Sequence, residues 1–310
     1  MKNKKILIFG TIIILMLSFI STSSALFLSN EYKTEKTEYN NARNSPVFCE
    51  LITDSANIKG IETMKIIQDI YESGEYSFNY VTVLSDVSNE ASNELLNKYN
   101  IVGSPTCIFQ GGYDTLYDVD PIENTYKNII ATVQNRYIPN LEIDLEKKWI
   151  ADCCSAKAIF TITVTNNEAY TYRGFLKLYV SEIESRWNYT YENEEEPFNH
   201  ALLDIPIEKQ ITIEPNSNIT IEETWIATPF TPKSSNLKAT AFVANALQYT
   251  GYSDPPANEH SFTAYYIDQI NSKKVVENSK IKTIREDFFF LGKILDYFPI
   301  LNILLKGLFF

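Results

Sequence analysis

Histidine and cysteine are scarce in this chain of 310 residues, which holds two of the first and four of the second. His200 and His260 lie far apart in sequence, so the usual spacing of zinc ligands is absent. The chain also lacks a Gly-x-Ser-x-Gly elbow, a phosphate-binding loop and a His-Glu-x-x-His motif. These absences argue against the common hydrolase classes, and we predict neither a metal nor a cofactor.

Positive charge is also in short supply. Lys and Arg number 27 against 39 Asp and Glu, which gives a formal net charge of -12. An acidic surface repels phosphate backbones, so nucleic acid is not an expected partner. Hydrophobic residues make up 45% of the chain, enough at this length to build about two domains.

The first 25 residues have the pattern of an export signal. Basic residues precede an apolar run from Ile6 to Ile20, and small residues follow it up to Ala25. We predict cleavage after Ala25, with an uncleaved N-terminal anchor as the alternative because the run borders on spanning length. Either way the remainder lies outside the cytoplasm, where the sequons at Asn188 and Asn218 would be glycosylation acceptors.

Residues 26–45 are polar and predict a flexible linker, and residues 46–138 then show alternating strand and helix patterns. Val47 to Ile52 is a short apolar run typical of a buried strand. Ile61, Met64 and Ile67 recur at helical spacing, and Gly74 is placed to end that helix. Continued to residue 138, the patterns predict the order β-α-β-α-β-β-α.

Between residues 139 and 268 the hydrophobic period changes to two. Leu141-x-Ile143-x-Leu145 and Leu237-x-Ala239-x-Ala241-x-Val243 are the first and last of six or seven alternating runs, and turn residues separate them. This spacing is typical of an immunoglobulin-like sandwich. The predicted fold class is therefore an α/β domain followed by an all-β sandwich.

Several short segments carry a family resemblance. They are Tyr71–Tyr76, the Gly-Ser-Pro-Thr loop at 103–106, Gly111–Tyr113, Pro139–Leu141, Ser185–Trp187 and Tyr252–Pro256. In these the chain resembles exported prokaryotic proteins in which a thioredoxin-like domain precedes an immunoglobulin-like one. The resemblance implies a cis Pro105 beside a redox Cys-x-x-Cys, yet Asn57 and Gly60 stand at about the two cysteine positions. Without a thiolate there, no disulfide exchange is expected.

The four cysteines that remain allow several interpretations. Cys49 and Cys107 fall on strands that the thioredoxin order makes antiparallel neighbours, so their sulfurs are either close or one diagonal step apart. Three interpretations stay open: both are small buried hydrophobic residues, the two form a structural disulfide, or Cys107 is a reactive thiol. Cys153 and Cys154 are adjacent, and a regular strand would separate them whereas a turn would allow a strained bridge.

The C-terminal residues 288–310, which follow a linker at 269–287, form a long apolar segment. Lys293, Asp296 and Lys306 argue against simple spanning, because each charge near the bilayer centre costs about 3 kcal/mol. Two short helices hinged at Pro299, in the membrane interface or docked on a partner, fit better. The alternative is that the segment packs on its own protein.

Together these features predict an exported, cell-surface, non-catalytic module that binds protein or an extended peptide. The backbone at Ser104, Pro105 and Thr106 would accept an extended segment by strand addition, which needs no thiol. One alternative is a thiol-disulfide oxidoreductase that uses Cys107 or the Cys153/Cys154 pair. Another is an adhesion or envelope-assembly subunit that acts through the sandwich.

Overall fold

The computed structural model describes residues 45–151, 156–227 and 232–275. Strands contain 53% of these residues and helices 18%. The helices are α1 (Ile58–Ser73), α2 (Glu90–Lys98) and α3 (Glu123–Gln134). The strands are β1 (Val47–Thr53), β2 (Phe78–Leu84), β3 (Thr106–Phe109), β4 (Asp114–Tyr117), β5 (Leu141–Ala151), β6 (Ala156–Asn166), β7 (Tyr172–Tyr191), β8 (Glu194–Ile213), β9 (Ser217–Ile226), β10 (Leu237–Asn245), β11 (Tyr249–Tyr252), β12 (Ser261–Ala264) and β13 (Ile267–Lys274).

One mixed sheet of eight strands organises the molecule, in the order β13-β10-β7-β8-β2-β1-β3-β4. β1 and β2 are parallel, whereas β3 runs antiparallel to β1 and β4 antiparallel to β3. β2 also pairs in parallel with β8, with Thr82 opposite Ala201. Two smaller sheets accompany it, β5-β6-β9 and the hairpin β11-β12.

The predicted fold class is wrong. The described protein is mostly β and has no separate α/β thioredoxin core, because β1 to β4 continue directly into β8, β7, β10 and β13 of the same sheet. The later strands are likewise not a self-contained sandwich, since one of their two layers belongs to the shared sheet. Hydrophobic period predicts strands correctly but does not show which strands pair.

The local predictions for the first helix are confirmed. All seven residues of β1 are buried, and α1 begins after Asn57, whose side chain accepts a hydrogen bond from the N–H of Gly60. This is an N-cap that satisfies one of the open donors of the first turn. Gly74 ends α1 in the left-handed conformation with φ 64°, as expected for a glycine cap.

Hydrophobic clusters cover both faces of the large sheet. On one face, α1 and α3 pack over β1 to β3, and the sheet β5-β6-β9 packs over β7, β8 and β10. Trp187 contacts both of these clusters. The opposite face carries α2 and the hairpin β11-β12, whose Phe262 and Ala264 join Phe48 of β1 and Phe242 of β10 in a third cluster.

In the ranges given above, no helix combines the length and the apolar character needed to cross a bilayer. The predicted leader at 1–25, the apolar segment at 288–310 and the Cys153/Cys154 pair lie outside the described residues.

Candidate functional site

The predicted binding loop at Ser104 lies beside the start of α1. The Asn57 side-chain amide donates to the Ser104 carbonyl at 2.6 Å and contacts its hydroxyl at 3.0 Å. The Ser104 hydroxyl in turn donates to the Asp54 carboxylate. The Ser104 carbonyl, which was predicted to accept a hydrogen bond from a partner segment, therefore already accepts one from Asn57.

The next two residues of the loop are also satisfied within the chain. Pro105 follows a cis peptide bond, is buried, and accepts the N–H of Asp118 on its carbonyl at 2.9 Å. Thr106 is buried and donates its hydroxyl to the Gly103 carbonyl at 2.8 Å. The loop thus acts as a structural joint between β3 and α1.

Gly60 marks the second of the two degenerate redox positions. A Cβ atom built there would lie 2.1 Å from the Thr53 hydroxyl oxygen, which is far inside van der Waals contact. A cysteine side chain at this position would require Thr53 to move.

The cysteines of β1 and β3 are free thiols, and both are buried. Cys49 is opposite Phe109 and Cys107 is opposite Leu51, so the pair is diagonal. Burial raises the pKa of the Cys49 thiol well above its ordinary value, and its contact with Cys107 adds to the increase. A protonated, buried thiol is a poor nucleophile.

The two predicted glycosylation residues lie on exposed strand positions. Asn188 is on β7, where its side-chain amide donates to Glu195 at 2.8 Å, and Asn218 is on β9. Exposure is compatible with modification at either position.

One group of potential metal ligands escaped the sequence reasoning. Asp254, Glu259 and His260 bring one ligand atom each to within 4.8 Å of one another. The Asp254 carboxylate, however, accepts the N–H groups of Glu259 and His260 and lies 2.9 Å from the His260 ring nitrogen Nδ1. These contacts give Asp254 a structural role, because they hold the loop between β11 and β12 in place.

A second feature that the sequence did not reveal is a set of aromatic side chains at the protein surface. It consists of Tyr113, Tyr249 and Tyr266 together with Arg136, whose guanidinium lies beneath the rings. We call these four residues the tyrosine surface. The rings of Tyr249 and Tyr266 stack with centroids 3.9 Å apart, and Tyr113 meets Tyr266 edge to face at 5.1 Å. Tyr113 and Tyr249 are 38% and 37% exposed.

Arg136 is fixed beneath these rings. Its guanidinium carbon lies 5.5 Å from the Tyr113 centroid and 5.8 Å from that of Tyr266, within cation–π range. It donates to the Asp268 carboxylate at 3.2 Å and to the Ile267 carbonyl. The guanidinium that the rings contact is therefore held in one position by its hydrogen bonds.

Asp268 is the buried anchor of this arrangement. Tyr172 and Asn245 donate to its carboxylate at 3.0 and 3.4 Å, in addition to Arg136. Burial raises the pKa of Asp268, and the arginine and these donors oppose the increase. Removal of either member of a buried ion pair is costly because the other charge is left uncompensated.

Sequence reasoning could not assemble the tyrosine surface because its residues come from four separate places. Tyr113 precedes β4, Arg136 follows α3, Tyr249 begins β11 and Tyr266 precedes β13. The one signal in the sequence was the high count of 20 tyrosines.

Comparisons with known proteins bear only on the backbone. No family model matches the chain, and no curated protein does. HBP35 of Porphyromonas gingivalis is similar in structure, with 15% identity, a TM-score of 0.53, and coverage of 75% of this chain and 76% of that one.

Two further structures share less. A protein of Agrobacterium tumefaciens has 13% identity and a TM-score of 0.44 over 76% of this chain and 96% of its own. The sporulation control protein Spo0M of Bacillus subtilis has 15% identity and a TM-score of 0.28 over 46% of this chain and 51% of its own. Of the three, only HBP35 supports a shared backbone arrangement.

Proposed function

We propose that this chain is an exported, non-catalytic module that binds an extended segment of a partner protein on the tyrosine surface. The observation that carries the proposal is the pair of exposed rings: Tyr113 lies over the anchored Arg136, and Tyr249 stacks on Tyr266, which also lies over that guanidinium. Tyrosine and arginine are enriched in protein interfaces and among the residues that dominate binding energy. A rigid aromatic surface also loses little entropy on binding.

An extended partner is favoured because the tyrosine surface adjoins a sheet edge. Tyr113 leads directly into β4, the terminal strand of the eight-stranded sheet. The N–H of Asp118 bonds to the Pro105 carbonyl, so by the alternation of antiparallel pairing Thr115 and Tyr117 direct their backbone groups away from β3. Such an edge accepts a further strand, and the adjacent rings would then contact its side chains.

One of the free backbone groups at the β4 edge is already hydrogen-bonded within the chain. The Asp114 carboxylate accepts the Thr115 N–H at 2.8 Å. An incoming strand would have to displace this contact, which selects against indiscriminate pairing. Specificity would then come from the tyrosine surface rather than from the backbone edge alone.

Binding at this place requires no thiol chemistry. Cys49 and Cys107 are buried on β1 and β3, and neither belongs to the tyrosine surface. Replacement of Cys107 by serine should therefore leave partner binding intact, whereas an oxidoreductase that used Cys107 would lose its activity.

The experiment begins with the selection of peptides from a random display library on the mature chain. Affinities of a selected peptide are then measured by fluorescence polarisation for Tyr113→Ala and Tyr249→Ala. We expect each variant to bind about 30-fold more weakly, the usual effect of truncating an aromatic residue that dominates an interface.

Two controls sharpen the result. Tyr170→Ala removes an exposed tyrosine from the turn before β7, and Cys107→Ser removes the thiol; both should bind within about twofold of the wild type. If Tyr170→Ala weakened binding as much as Tyr249→Ala, the tyrosine surface would not be the site. Reduction of insulin disulfides by the wild type but not by Cys107→Ser would replace the proposal with the oxidoreductase.

A further inference from the structure

Two buried side chains that contact the same tyrosine ring each carry a nitrogen atom without a hydrogen-bond partner in the described residues. Lys238 on β10 and His200 on β8 are each 2% exposed, and the Lys238 Nζ and His200 Nδ1 atoms have no partner in the described part of the chain. Both contact Tyr71 of α1: the Lys238 Nζ lies 4.3 Å above its ring, and the His200 ring lies 5.2 Å away, edge to face. A buried polar atom left unpaired is costly, so such atoms call for an explanation.

The other buried charged side chains in the described ranges all have partners. Lys177 pairs with Glu208, Glu182 with Arg186, and Asp268 with Arg136. Asp254 pairs with His260, and Glu50 accepts two tyrosine hydroxyls. Three other buried atoms, Ser92 Oγ, Arg136 Nε and Lys177 Nζ, also lack a hydrogen-bond partner, but Arg136 and Lys177 each pair with a carboxylate. Among the buried basic side chains of the described ranges, Lys238 and His200 differ in having no carboxylate partner.

The surroundings of Lys238 are positive rather than balanced. Its cross-strand neighbour on β13 is a second lysine, Lys274, which is exposed. Burial, with the charge of Lys274 added, lowers the pKa of Lys238 to about 7. Burial, then Lys238 and Lys274, lowers the pKa of His200 to about 3. Tyr71 and Tyr80 lie against the pair. The carboxylates of Glu72 and Asp69 act on these tyrosines, but no carboxylate contributes to the pKa shift of Lys238 or of His200.

We propose that Lys238 and His200 form a site for a small monovalent anion such as chloride. The anion would accept a hydrogen bond from the Lys238 ammonium and a second from the His200 ring, with Nδ1 carrying the proton. It would supply the missing counter-ion, and the exposed Lys274 would attract it from solvent. A cation at this place is excluded by the two lysines.

Crystals of the mature chain soaked in bromide provide the direct test. Bromide scatters anomalously, and we expect a peak between the Lys238 Nζ and His200 Nδ1 atoms. Peaks confined to surface lysines would mean an adventitious ion only and would overturn the proposal, as would the absence of any peak at the pair.

Thermal unfolding in solution provides the second test. At pH 6.5 and constant ionic strength, chloride replaces gluconate, and the melting temperature should rise saturably. A rise of about 3 °C corresponds to chloride at ten times its dissociation constant in a protein of this size. The response should disappear in Lys238→Met.

The matched control is Lys177→Met, which removes the other buried lysine, one that already pairs with Glu208. This variant should keep the full chloride response even if its melting temperature is lower. An equal chloride response in the wild type and Lys238→Met would contradict the proposal. Peptide binding at the tyrosine surface is a separate measurement, so either proposal can fail alone.

Discussion

At the scale of single residues, the buried amine of Lys238 gives the protein a specific dependence on pH. Its pKa is about 7 in the folded protein, lowered from 10.5 by burial and by Lys274. Between pH 7 and 10.5 the unfolded chain therefore binds more protons at this residue, and stability rises with pH through that window. Lys238→Met abolishes this contribution. In chloride-free buffer we expect it to be roughly 2 kcal/mol more stable than the wild type at pH 7.

Urea unfolding at pH 7, 8 and 9 measures this difference. The advantage of Lys238→Met should shrink as pH rises, because the wild type gains stability and the variant does not gain it at this residue. A constant difference between the two proteins across this range, or a less stable variant at pH 7, would show that Lys238 is not held in the neutral form by the fold.

The residue scale also shows what the sequence could and could not predict. The family resemblance gave Asn57 and Gly60 as degenerate redox positions, and the structure places both at the start of α1. The hydrogen bond from Asn57 to Ser104, 47 residues away, and the lack of room at Gly60 beside Thr53 depend on tertiary packing. Lys238 was not singled out because the alternating apolar pattern around it is also typical of a strand with a solvent-facing lysine.

At the scale of elements, Gly112 determines how closely the hairpin β11-β12 approaches the turn between β3 and β4. Its φ is 102°, and a Cβ atom there would lie 2.7 Å from the Phe262 ring and 2.8 Å from Ala264. Gly112→Ala therefore adds a steric clash to a conformation that only glycine adopts readily. We expect a loss of about 3 kcal/mol in the free energy of unfolding and weaker peptide binding, because β11 carries Tyr249.

Gly74→Ala is the matched control for this glycine. Gly74 has a positive φ of 64°, but nothing lies within 4 Å of its Cβ position, so the substitution adds strain alone, about 1 kcal/mol. Chemical denaturation separates the two variants. Equal losses in both would mean that the hairpin shifts freely and does not depend on contact at Gly112.

Local sequence patterns predict where helices and strands occur, but they do not predict how long the central strands of the sheet are. The alternating runs predicted strands in this region, yet β7 extends over 20 residues, as does β8. Their register shifts at several places, which lets the long strands bend and serve both halves of the sheet. Such irregular pairing has no period that sequence reasoning could detect.

At the scale of the whole molecule, the shared sheet depends on contacts between residues more than 100 positions apart. Thr82 of β2 donates to the Asn199 carbonyl at 2.6 Å, and the Asn89 side chain donates to the carbonyls of Leu202 and Leu203. Each half of the sequence shows ordinary periodicities, so a division into two domains was the natural prediction. Only the pairing of β2 with β8 joins them into one sheet, and periodicity carries no information about it.

This joint sheet leads us to expect that residues 46–138 and 139–268 unfold together. Glu50 of β1 is fully buried and accepts the hydroxyls of Tyr99 and Tyr179, each at 2.7 Å. Loss of the second half would remove Tyr179 and leave that carboxylate with one donor fewer. Cooperative unfolding follows when neither half can satisfy its buried groups alone.

Two probes can be read separately in urea. All three tryptophans, Trp149, Trp187 and Trp225, lie in the second half. In a Trp187→Phe background, which removes the one that also contacts the cluster under α1, the fluorescence of Trp149 and Trp225 reports that half. Hydrogen exchange of peptides from β1 and α1 reports the first. We expect coincident midpoints, and Tyr179→Phe, which costs about 2 kcal/mol by removing a donor to a buried carboxylate, should shift both midpoints equally. A shift confined to tryptophan fluorescence would mean that the two halves are independent folding units despite the sheet they share.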